Sequence, residues 1–370
     1  MNDPRVDKLA DMLVNYSVGI KPGDKAIIGG NELAKPLITA VYKKVLQAGG
    51  LPYLELTLTG LDEVFYSVAS DEQLQYVSDP LKLLVDTYDA DFSIQSDGNT
   101  KRLTNIDPGR IIRFRKGRHA LMEHFDERAG RGEMRWVYTL FPTEAHAQEA
   151  EMSLDEYTDF VFNACMPDQK DPVAYWKRIA AKQEKIVAWL KGKKRVHVTG
   201  PETDITLSIE GRPFISCASH VNVPDGEIFC GPVENSIDGH VLFSYPAIYL
   251  GQEVNGVRLW FENGKVVKAT AEKNEPYLLA MLDTDEGSRS VGEFAIGTNE
   301  GIQKFTGEIL FDEKIGGSFH MALGSSYPES GGLNKSAIHW DMICDLRKGG
   351  EINVDGMILH KNGKFTLTDI

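Results

Sequence analysis

The order of elements changes character near Gly192, and that change limits what the chain can fold into. Before it, helix and strand signals alternate; after it, strand follows strand. Residues 6–18 carry Val6, Leu9 and Leu13 at helical spacing, with Met12 and Tyr16 alongside. Lys21-Pro22-Gly23-Asp24 is a turn, and Lys25-Ala26-Ile27-Ile28-Gly29 is a short strand of the buried type. A helix then runs to Gln47 and stops at Ala48-Gly49-Gly50. It starts between Glu32 and Lys35, the later start suiting Pro36, which is best tolerated in a first turn. Residues 52–58 are the next strand, so the βαβ order predicts a parallel pair joined by a right-handed crossover. Residues 90–94 and 136–142 read as further strands. A long helix over 171–190 has Pro172 at its start and Gly192 just past its end.

Beyond Lys191-Gly192-Lys193-Lys194, residues 195–199 and 204–209 read as paired strands, and 239–245 and 256–261 continue the pattern. Asn263-Gly264 and Asn362-Gly363 each sit between apolar runs, a strong signal for a two-residue hairpin. A helix is expected over 275–282. A chain of 370 residues exceeds one comfortable hydrophobic core. The expected architecture is an N-terminal α/β domain with a mostly parallel sheet, residues 1–192. A C-terminal α+β domain, rich in mainly antiparallel β-structure, follows over 193–370.

With 42% hydrophobic and 25% charged residues the chain reads as soluble and globular. Its 40 Lys+Arg against 54 Asp+Glu leave a net charge of −14, which argues against nucleic acid or an anionic membrane as partner. The first residues lack the basic-then-apolar layout of a secretory signal, and no apolar run reaches membrane-spanning length. Cys165, Cys217, Cys230 and Cys344 are widely and irregularly spaced, without Cys-x-x-Cys. They are expected to be free, reduced thiols of a cytoplasmic protein.

Chemistry-bearing residues gather in the second half. As a strand, Ile338-His339-Trp340-Asp341-Met342 puts His339 and Asp341 on one face and the apolar residues on the other. Glu227 is the first residue after the turn Pro224-Asp225-Gly226. Glu293 lies in an apolar run bounded by Gly292 and Gly297, where an unpaired acid would be costly, so a cation is expected beside it. A strand from Gly317 puts His320 on one face with Ser318 and Ala322, and Phe319, Met321 and Leu323 on the other. Glu313 precedes this strand and Tyr327 follows it. Glu227, Glu293 and Asp341 with two histidines suit a pair of divalent ions of zinc, cobalt or manganese type. Such a pair, about 3.5–4 Å apart, activates a shared water and polarises a carbonyl. His-Glu-x-x-His, Gly-x-Ser-x-Gly and dinucleotide or phosphate loops do not occur, so no organic cofactor is expected.

Three stretches together resemble the aminopeptidase T / aminopeptidase S family of metallopeptidases. They are Asn222-Val223-Pro224-Asp225-Gly226-Glu227-Ile228-Phe229, then Gly292-Glu293 with Gly297-Thr298-Asn299, then Asp312-Glu313 through His320, Tyr327, His339 and Asp341. The resemblance implies a cytoplasmic, dimeric exopeptidase acting on peptides with a free N-terminus, with two metal ions in the C-terminal domain. It implies Glu227, Glu293, His320, His339 and Asp341 as ligands, and Tyr327 as a further ligand or a transition-state hydrogen-bond donor. Glu313 is then a ligand, a general base or a residue behind the ligands; Glu227 or Glu313 shuttles the proton. Two other readings share the metal chemistry: a hydrolase of a non-peptide amide or ester, and a metal-binding protein without activity.

Overall fold

The structure is a computed structural model describing residues 3–367. The chain divides into two compact units, residues 1–173 with 219–224, and residues 174–218 with 225–370. The first unit holds an all-parallel sheet. Lys25–Asn31 lies between Leu51–Thr57 and Ala90–Gln95, followed outward by Arg135–Leu140 and the short Asn222–Val223. The helix Lys35–Gln47 makes the first crossover, with Pro36 in its first turn, where the missing N–H costs nothing. Ala26, Ile27 and Ile28 are buried, whereas the edge strand Leu51–Thr57 is exposed along nearly its whole length.

The second unit contains an eight-stranded antiparallel sheet and a five-stranded one. The larger includes both Asn-Gly hairpins: Arg258–Glu262 pairs with Lys265–Thr270, and Met357–Lys361 with Lys364–Phe365. The five-stranded sheet carries the chemistry. Its strands are β1 (Ile215–Cys217), β2 (Glu227–Cys230), β3 (Val291–Gly297), β4 (Ser318–Gly324) and β5 (His339–Asp345). They lie side by side in the order β5-β4-β3-β2-β1, every neighbour antiparallel.

Strand alternation gives this sheet one dry face. Ile228 and Cys230 of β2, Phe294 and Ile296 of β3, Phe319, Met321 and Leu323 of β4, and Trp340 and Met342 of β5 join one buried core. Val198, Ile205 and Leu259 of the larger sheet enter the same core, as do Ile186 and Leu190 of the helix Pro172–Leu190. The opposite face of the sheet takes the polar residues, which fixes where the site lies.

Candidate metal centre

Glu293 reaches the polar face because of an irregularity. Val291 and Glu293, two residues apart, would share a face in a regular strand. The register slips between them, Val291 facing Leu323 and Glu293 facing Ala322, so Gly292 is an extra residue. This bulge sends Val291 to the core and Glu293 to the other side. Gly292 has no room for a side chain, since a Cβ there would lie 2.2 Å from the Ser325 carbonyl oxygen. Across the sheet, Ala295 opposes His320, Ala322 opposes Asp341, Gly324 opposes His339 and Gly297 opposes Glu227. Small residues on this face leave space above them for four long polar side chains.

The donor atoms converge. His320 Nε2 lies 3.2 Å from Glu293 Oε1 and 3.3 Å from Glu227 Oε2. His339 Nε2 lies 3.8 Å from Glu293 Oε2 and 3.5 Å from Asp341 Oδ2. Glu293 thus presents one oxygen to each histidine. Three overlapping sets have donor atoms within 4.8 Å of one another: Cys217, Asp225 and Glu227; Glu227, Glu293 and His320; and Glu313, His320 and Asp341. Tyr327 stands at the rim, its ring centroid 4.9 Å from that of His339.

Hydrogen bonding in the protein leaves this cluster incomplete in a way a metal would remedy. One imidazole nitrogen carries at most one proton, yet two carboxylates face His320 Nε2. Glu227 Oε2, Asp341 Oδ1 and His320 Nδ1 are buried without a hydrogen-bond partner. His339 Nδ1 lies 2.8 Å from the Ser325 carbonyl oxygen, which can only accept, so Nδ1 carries the proton. In the neutral ring the Nε2 lone pair then points towards two carboxylates, an arrangement that calls for a cation between them.

Without ions, protons take that place. Burial favours a neutral ring, but the Glu293 hydrogen bond and the Glu227, Glu293 and Asp341 charges push His320 up to about 9. Against the same effect of burial, Asp341 and Glu293 raise His339 to about 10. Burial opposes ionisation of Asp341, yet the neighbouring His339 holds it down at about 2. Burial drives Glu227 well above the usual carboxylate range, with Lys314 only partly offsetting it, and raises Glu313 as well.

The supports of this cluster were less visible in sequence. Glu313 ends the short helix Ile309–Asp312, and the fully buried Lys314 donates from Nζ to Glu313 Oε1. Asp312 caps the preceding loop, accepting from the Thr306 N–H at 2.8 Å and hydroxyl at 2.9 Å, and points away from the chemistry. Asn299 ties two site loops together. Its Nδ2 donates to the Asp225 carbonyl at 2.7 Å, and its backbone N–H to the Lys314 carbonyl at 3.1 Å. Gly226, at φ +119, lets the loop pass close to it. Gln183, buried on the helix Pro172–Leu190, shares its amide hydrogens among the Cys217 and Glu227 carbonyls and Thr298 Oγ1 at 2.9, 3.1 and 2.9 Å. A polar residue within an otherwise apolar stripe was the only signal for it.

The chain as a whole is similar to known proteins. Aminopeptidase 2 of Geobacillus stearothermophilus is 26% identical over 98% of this chain and 95% of its own length. Aminopeptidase T of Thermus aquaticus is 32% identical over 60% of this chain and 59% of its own. Wild-type AmpT from Thermus thermophilus has the same fold, with a TM-score of 0.85 at 23% identity, covering 98% of this chain and 99% of the other. The 2,5-dihydroxypyridine dioxygenase of Pseudomonas putida KT2440 shares the fold more loosely, with a TM-score of 0.62 at 13% identity over 100% and 99%. Residues 2–365 match the profile of the thermophilic metalloprotease (M29) family, and with a match of that extent the chain belongs to it.

Proposed function

We propose that this metallopeptidase is a two-metal aminopeptidase removing N-terminal residues from peptides. The observation that carries the reading is Glu293, with one oxygen towards His320 and the other towards His339. That supports reading Glu293 as a carboxylate that would bridge two ions, one beside each histidine. Glu227 would join His320 and Glu293 in holding the first ion, and Asp341 would join His339 and Glu293 in holding the second. The mixed imidazole and carboxylate donors suit zinc, cobalt or manganese. Bound there, such ions supply polarisation of the scissile carbonyl and a water acidic enough to attack near neutral pH.

The remaining chemistry belongs to the protein. Glu313 has one oxygen held by Lys314, which leaves the other to take the proton from the attacking water and return it to the leaving amine. Glu227 faces His320 with the oxygen that lacks a hydrogen-bond partner, which fits a ligand better than a shuttle. Burial and the surrounding carboxylates keep the Tyr327 phenol protonated, so it stands as a hydrogen-bond donor to the developing oxyanion. The acidic surroundings of the centre favour a substrate α-ammonium group, the basis for exopeptidase action.

We further propose a homodimer. The edge strand Leu51–Thr57 pairs on one side only, and Leu51, Leu54, Leu56 and the adjoining Leu58 are 56, 40, 56 and 62% exposed. An open apolar edge of this kind is a template for a second copy. The four free thiols fit a reducing, cytoplasmic setting. No helix among the described residues is long and apolar enough to cross a membrane.

Leu-p-nitroanilide and its N-acetyl derivative, each with and without thorough chelation, test the activity. Hydrolysis of the free amine alone, lost on chelation and restored by zinc, cobalt or manganese, is expected. Equal turnover of the blocked substrate would point instead to a broader amide or ester hydrolase.

A further inference from the structure

Lys314 is a full positive charge in a place where none is expected. Its side chain is completely buried, and its ammonium donates to Glu313 Oε1 and lies 3.9 Å from Glu227 Oε1. Asp225 adds a third negative charge within electrostatic reach. A buried lysine costs several kcal/mol of lost hydration unless carboxylates compensate it, and here they do. Those carboxylates are also residues of the metal centre. Glu227 shares a set of donor atoms with Glu293 and His320, and Glu313 with His320 and Asp341. The same carboxylates therefore have two possible cations, an ammonium supplied by the chain and a metal ion.

We propose that Lys314 is the resident counter-cation of the metal centre, holding Glu227 and Glu313 in place when metal is absent and competing with the ions for them when metal binds. This rests on the two-metal reading above. Four carboxylates, Glu227, Glu293, Glu313 and Asp341, crowd one face of a sheet with two histidines. Without an internal cation, the metal-free chain would bury that negative charge with only protons to offset it. Lys314 comes from outside the sheet, on the loop after Ile309–Asp312. Asn299 holds its backbone by donating to its carbonyl at 3.1 Å. The consequence is a site that stays formed when empty, at the cost of weaker metal binding than its donors alone would give.

Lys314→Met, close in volume and without charge, tests this on the full-length chain. Wild type and variant are stripped with EDTA, and their melting temperatures are measured with and without saturating Mn²⁺ or Zn²⁺; metal affinity is measured by calorimetry. The metal-free variant is expected to melt about 5–10 °C below wild type. Saturating metal should recover most of that loss, so the metal-induced rise is larger in the variant, and its metal dissociation constant should fall about tenfold. If the variant folds only when metal is supplied during refolding, the same dependence is shown. An equal metal-induced rise in both proteins, or a variant that binds metal more weakly, would overturn the proposal while leaving the centre intact. A wild-type chain that binds no metal would remove the centre and the proposal together.

Discussion

Glu293 is the residue on which the site turns. It is buried, it reaches its face only through the Gly292 bulge, and it turns a different oxygen towards each histidine. Glu293→Gln keeps the shape and removes the charge. Affinity for both ions is expected to fall by at least about 10–100-fold, with activity falling in parallel, read by metal content after gel filtration; two ions retained would show that Glu293 is not a bridge. A second buried side chain sets acid stability. His360 lies fully buried in Met357–Lys361, its ring edge-on to Phe365 at 5.2 Å. Burial favours the neutral ring and pulls its pKa down to about 4. The unfolded chain takes up that proton near pH 6.5, so the stability is complete above about 6.5 and is lost as pH falls towards 4. That loss amounts to as much as about 3 kcal/mol. His360→Phe is expected to raise the urea midpoint at pH 5 relative to wild type far more than at pH 8.

At the scale of elements, period-two alternation made the faces of two strands legible in the sequence. His339 and Asp341 share one face of β5 with Trp340 and Met342 in the core behind them, and His320 stands on the matching face of β4. Glu293 was legible only as an acid needing a partner, because the bulge that aims it breaks the alternation. Lys314 and Asn299 carry no periodic signal: one follows a four-residue helix and the other makes an isolated bridge to Ile315, and their roles come from contacts distant in sequence. Gln183 was hidden in a helical stripe that reads as plain core packing. Asn299→Ala tests whether such supports matter. It leaves the Asp225 carbonyl without its buried donor, at a cost of about 1–3 kcal/mol. Because the same loop leads into Glu227, metal affinity should fall together with melting temperature. A loss of stability with unchanged metal affinity would assign Asn299 to the fold alone.

For the whole molecule, fold and function have to be argued separately. The same architecture occurs in an aminopeptidase T and, more distantly, in a dioxygenase, so the backbone does not choose the reaction. Family membership does. The change from parallel to antiparallel pairing was readable from element order, since alternation predicts the first and closely spaced strands with Asn-Gly turns predict the second. Assembly is less legible, because an exposed apolar edge marks a contact without naming it. Leu54→Lys with Leu56→Lys is expected to convert a dimer to a monomer in light scattering, and an unchanged mass would place the interface elsewhere. The central claim, two ions acting together on a free N-terminus, meets its most direct test in a titration of metal-stripped protein. Zinc, cobalt or manganese is added in stoichiometric steps while Leu-p-nitroanilide hydrolysis and bound metal are followed together. The expected result is full activity only as the second ion binds, with none in the stripped chain. Hydrolysis that survives complete metal removal, or full activity with a single ion bound, would contradict it.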